Sequence, residues 1–75
     1  MKGNKLKEIT SRAPTEPGIY VFTGLGNKKL YIGKASNLRA RLSSYLKTVD
    51  QRILQMLSQA ISIKTIETDS EIEAL

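Results

Sequence analysis

The chain contains no cysteine and no histidine. The first absence excludes a disulfide and a thiolate metal site; the second excludes an imidazole base and zinc–histidine coordination. Acid–base chemistry is left to Tyr, Lys, Asp, Glu or metal-bound water. Long apolar runs are also lacking. Nothing approaches the roughly 20 residues that cross a bilayer, and the lysine-bearing N-terminus has no apolar run of signal length. The expectation is a soluble, cytoplasmic chain with no membrane partner. At 75 residues it holds one domain with a thin core.

What is present is uneven charge. Residues 1–47 carry ten lysines and arginines against Glu8 and Glu16, a net +8. Residues 48–75 carry Arg52 and Lys64 against five acids, a net −3. A basic half beside an acidic half points to a polyanionic partner, with a solvated basic surface as the plain alternative.

Residues 1–17 read as a basic lead-in. Leu6 and Ile9 fit one helical turn before Pro14 and Pro17 stop it. Residues 18–34 read as a hairpin. Ile19 and Val21 face one way and Tyr20 and Phe22 the other, with Gly24, Leu25, Gly26 and Asn27 as the turn. A four-residue loop sets Tyr20 opposite Tyr31 and Gly18 opposite Gly33, so both phenols share one face. The glycines beside them leave room for a ligand to approach the backbone. Ile19, Val21, Leu30 and Ile32 are then the expected core face.

Residues 35–75 read as two helices, a strand and the start of a third helix. The first helix runs from about Ser36 or Asn37 to Leu46, with Leu38, Leu42, Tyr45 and Leu46 inward. Arg41 falls beside Tyr45, and Arg39 lies in the first turn, where a cation opposes the helix dipole. The second helix, about residues 50–62, has Ile53, Leu54, Leu57, Ala60 and Ile61 as its stripe. A strand follows at residues 63–67. Ser70 to Glu73 fits a capping box, which predicts a third helix cut short at Leu75. The expected fold is α/β (α+β), a small, mostly antiparallel three-stranded sheet flanked by helices. Its expected order is β-β-α-α-β-α, in one domain over residues 1–75.

Gly18-Ile19-Tyr20, Tyr31-Ile32-Gly33 and residues 33–45 together resemble the GIY-YIG nuclease superfamily. Residues 68–75 resemble its UvrC-type subfamily, the N-terminal domain of a nucleotide excision repair nuclease. The resemblance implies metal-dependent hydrolysis of a DNA phosphodiester, on the 3′ side of a lesion in damaged duplex. It implies Mg²⁺ or Mn²⁺ and a UvrB-like partner that binds outside this chain.

The resemblance also assigns catalytic roles. One of Tyr20 and Tyr31 helps deprotonate the attacking water. Lys34 lowers the pKa of a neighbouring phenol, and Arg41 stabilises phosphate charge. Tyr45 is a third site tyrosine or a core residue. Lys28, Lys29, Arg39 and Lys47 are the candidate DNA-backbone contacts.

The family's metal-binding glutamate aligns about three positions beyond Leu75, within one more helical turn. No metal ligand is therefore expected within the chain, and the 75 residues alone are expected to cleave little or not at all. The alternatives are another GIY-YIG endonuclease (stand-alone, homing or junction-resolving) or a non-catalytic DNA-binding module.

Overall fold

Alternating residues do form the expected strand pair, inside a sheet whose order is β2-β1-β3. A computed structural model describes residues 1–69. Its elements are α1 (Gly3–Arg12), β1 (Gly18–Thr23), β2 (Lys29–Ala35), α2 (Leu38–Ser44), α3 (Gln51–Gln59) and β3 (Ser62–Glu67). Both strand pairings are antiparallel, with β1 central. The architecture is α+β, as expected. The lead-in is more than one turn: α1 is a full helix that buries Leu6 and Thr10. The predicted capping box and third helix lie outside the described residues.

The hairpin register differs from the expected one. Tyr20 pairs with Gly33 and Phe22 with Tyr31, and the ladder shifts between Phe22 and Thr23, where Thr23 meets Lys29. The cause is the connection. Gly26 (φ 67°) and Asn27 (φ 61°) both adopt left-handed backbone. The Gly24 N–H then donates to Lys28 O at 2.8 Å and closes a wider loop. Leu30 becomes the extra residue of a bulge. The whole offset is two residues, so Tyr20 and Tyr31 keep their common face as diagonal neighbours.

Which face is buried is reversed. Tyr20 and Phe22 are 1 % and 0 % exposed, whereas Ile32 is 58 % exposed. Helices cover the aromatic side, where Leu38 and Leu42 of α2, Leu57 of α3 and Leu6 of α1 share one core cluster with the two rings. Ile63 of β3 pairs with Phe22 and packs against the same core. Alternation yields two faces that both carry large apolar side chains, and rings bury more surface than isoleucines. Of the expected core face, Leu30 alone packs against this core, through its bulge.

Two glycines are required by that packing. A Cβ on Gly33 would overlap the Tyr20 ring and hydroxyl, and one on Gly18 would overlap the Ile66 carbonyl.

Helix ends follow their caps. Asn37 Oδ1 accepts from the Ala40 N–H at 3.0 Å, and Asp50 Oδ1 accepts from the Arg52 N–H at 2.9 Å. After Ser44 the chain tightens into a 3₁₀ turn over Tyr45–Lys47. That change of pitch keeps Tyr45 inward and turns Leu46 outward. Leu54 and Ile61 are likewise exposed rather than inward, because α3 touches the core through Leu57, with Ile53 and Met56 partly buried.

Candidate active site

The four aromatic residues of the chain form one cluster, and the site grows from it. Tyr20 and Phe22 meet edge to face at 6.0 Å between centroids, and Phe22 meets Tyr45 at 5.1 Å. Tyr20 also touches Tyr45 at 6.0 Å and Tyr31 at 6.2 Å. Edge-to-face contacts of this kind each stabilise by about 0.5–1.5 kcal/mol beyond burial.

Within the cluster the phenols divide by exposure. Tyr20 and Tyr45 are buried, and their hydroxyls share a hydrogen bond of 2.8 Å. Each therefore satisfies the other's polar tip. Burial, and next the hydrogen bond to Tyr20, push the Tyr45 phenol well above its ordinary value. Tyr45 therefore stays neutral wherever the protein is folded at ordinary pH. Tyr31 is 40 % exposed on edge strand β2.

In front of Tyr31 lies an open hollow of about 510 Å³, lined by Ile19, Tyr20, Tyr31, Ile32, Gly33, Lys34 and Arg41. Lys34 pairs with Ile19, so the pleat puts it on the face opposite Tyr20, and with Ile19 and Ile32 it lines the hollow from that face. Arg41 comes from the exposed side of α2. The structure thus brings Tyr20, Tyr31, Lys34 and Arg41 to one surface and sets Tyr45 behind Tyr20.

The predicted DNA contacts do not line this hollow. Lys28 and Lys29 lie at the hairpin connection and Lys47 at the end of the 3₁₀ turn, all exposed. Arg39 directs its Nε–H to the Ala13 carbonyl at 2.7 Å. Ile19 and Ile32 are lining residues that motif reading passed over. Phe22, the wedge behind two phenols, was legible from its spacing of two from Tyr20.

The chemistry of this surface is that of an anion site with a phenol in it. Among the described residues, two cations and two phenols line the hollow, with no carboxylate. Among the described residues no group of three or more His, Cys, Asp or Glu could hold a metal. The described residues therefore do not by themselves fit a divalent cation.

Comparison with known proteins agrees with this geometry. A family model described as the UvrC-like GIY-YIG domain matches residues 16–75. The chain belongs to that family. UvrABC system protein C of a Wolbachia species (subsp. Drosophila simulans, strain wRi) is 46 % identical over 71 residues, covering 92 % of this chain and 12 % of the relative. The Corynebacterium aurimucosum protein of that name is 40 % identical over 75 residues, covering 96 % of this chain and 11 % of the relative. The chain thus spans about an eighth of the curated relatives it matches.

Among solved structures, the GIY-YIG N-terminal endonuclease domain of UvrC from Thermotoga maritima superposes with a TM-score of 0.87 at 38 % identity. That match covers 99 % of this chain and 81 % of the other, and the T. maritima domain is described as bound to magnesium, its catalytic divalent cation. A tyrosine-to-phenylalanine mutant of that domain matches equally well, with a TM-score of 0.87. Among the described residues no helix is long and apolar enough to cross a membrane.

Proposed function

We propose that this UvrC-like GIY-YIG domain is a DNA endonuclease that hydrolyses a phosphodiester on the 3′ side of a lesion. Its setting would be cytoplasmic nucleotide excision repair, beside a UvrB-type partner. The observation that carries this reading is the convergence of an exposed phenol, an ammonium and a guanidinium on one open hollow. The family membership and the described activity of the T. maritima domain support it.

Tyr31 is the phenol that meets the attacking water, because it is the tyrosine open to the hollow. A phenol ordinarily loses its proton near pH 10, too high for an efficient base at neutral pH. The Lys34 ammonium lines the same hollow and adds positive charge where a phosphate would sit. Arg41 offers a planar fork to the phosphate oxygens, and its benefit grows as charge builds in the transition state. The bonded Tyr20–Tyr45 pair holds the wall against which Tyr31 stacks. Tyr45 keeps its proton and so supplies a fixed dipole rather than a base.

Magnesium or manganese is the proposed cofactor, and when bound it supplies charge neutralisation at the phosphate. Its carboxylate ligand would lie outside the described residues. Lys28, Lys29 and Lys47 would follow the DNA backbone away from the hollow.

The test is nicking of lesion-bearing duplex with Mg²⁺ by the natural protein that carries this chain. Arg41→Ala is expected to lower the rate by about 10²–10³-fold, the usual loss for a charge-stabilising donor. Unchanged nicking by Arg41→Ala would remove the hollow from the reaction.

A further inference from the structure

Helix α2 has seven residues, too few to persist without outside support. Its leading N–H groups all find partners outside the helical ladder. Leu38 N–H donates to Glu16 O at 3.0 Å, Arg39 N–H to Pro14 O at 3.0 Å, and Ala40 N–H to Asn37 Oδ1 at 3.0 Å. Two of those acceptors belong to the α1–β1 connection, whose backbone is stiffened by Pro14 and Pro17. The Pro17 carbonyl also accepts from the Thr68 N–H at 2.9 Å, which ties the same connection to the end of β3. Residues 13–17 therefore form a bracket between helix α2 and the sheet.

Arg39 completes the bracket from the helix side. Its Nε–H donates to the carbonyl of Ala13 at 2.7 Å, and Ala13 is itself buried. A cation in a first turn opposes the helix dipole, so this contact works against a local cost. Two residues further on, about 200° around the helix, Arg41 faces the hollow. The two arginines thus lie on opposite sides of one helix. A roll of α2 by about 10° shifts a side-chain tip about 6 Å from the axis by about 1 Å.

We propose that Arg39 is a positioning residue for the nuclease reaction. Its bond to the Ala13 carbonyl adds to the two backbone bonds of the bracket in setting the roll of α2, and so the places of Arg41 and Tyr45. The inference rests on the site reading given above, in which Arg41 holds the phosphate. A misplacement of about 1 Å at a reacting centre costs up to about 10²-fold in rate.

The test compares Arg39→Met with Arg39→Gln in the natural protein with magnesium, by single-turnover nicking and by DNA affinity against salt. Glutamine places Nε2 at the same bond distance from the backbone as arginine Nε, so it keeps the donor and removes the charge. Arg39→Met is expected to lose about 10–10²-fold in rate, with DNA affinity within twofold and an unchanged salt slope. Arg39→Gln is expected to stay within about threefold of wild type.

Three results overturn the proposal. One is a salt slope that shrinks by about 0.9 in both variants, which makes Arg39 a phosphate contact. A second is a wild-type rate in Arg39→Met. The third is a loss in Arg39→Met that vanishes at temperatures where circular dichroism finds the variant folded, which makes the bond a matter of stability alone. Arg41→Ala run alongside separates the failures: if it nicks like wild type, the site reading falls, whatever Arg39 does.

Discussion

Gly33 carries the tightest constraint in the paired motifs, because the Tyr20 ring lies where its Cβ would be. Gly33→Ala must push that ring against Phe22 and Tyr45. Overpacking of this kind costs about 1–3 kcal/mol, which urea denaturation would read as a lower midpoint. Gly3→Ala is the control. Nothing lies within 4 Å of the added carbon there, and the change should be neutral or stabilising by up to about 1 kcal/mol. A second residue-scale prediction concerns Tyr45, whose phenol is held above its ordinary value by burial and by Tyr20. Above about pH 10 the unfolded chain gives up this proton while the folded chain keeps it. Folding stability is therefore intact below that pH and falls above it, by at most about 1.4 kcal/mol per pH unit from this group. Denaturation midpoints between pH 8 and 11 should show the fall, and Tyr45→Phe should flatten it.

The elements are held by local signals and placed by tertiary ones. Asn37 caps α2, and Asn37→Ala should cost about 1 kcal/mol in a thermal melt. Such caps and helical periods are written in a few neighbouring residues, which is why α2, α3 and β3 were legible to within a few positions. The hairpin register was not, because it turns on the left-handed backbone of Asn27 and the bulge at Leu30. The buried face was not legible either. Ile19 and Val21 alternate with Tyr20 and Phe22, and the choice belongs to helices that are distant in sequence. The grouping of the motif side chains does not depend on either error. A two-residue offset preserves facing, so Tyr20, Tyr31, Lys34 and Arg41 still met, as the motif spacing required. The motif did not disclose that the phenols are unequal, Tyr20 serving as a core residue and Tyr31 as an open one.

At the scale of the molecule, a net charge of +5 in 75 residues suits a polyanion. DNA affinity should fall with salt by about 0.9 log units per phosphate neutralised. Lys28→Ala and Lys29→Ala, at the hairpin connection, should each shallow that slope without altering the nicking rate at saturation. Tyr31, alone among the phenols in its exposure, is the residue proposed to take the proton from the attacking water. The most direct measurement is the single-turnover nicking rate of Tyr31→Phe at saturating DNA and Mg²⁺, in the natural protein that carries this chain. Loss of a positioned base should lower it by about 10²–10⁴-fold, with DNA affinity within twofold of wild type. A rate within about threefold of wild type would mean that Tyr31 is not the base.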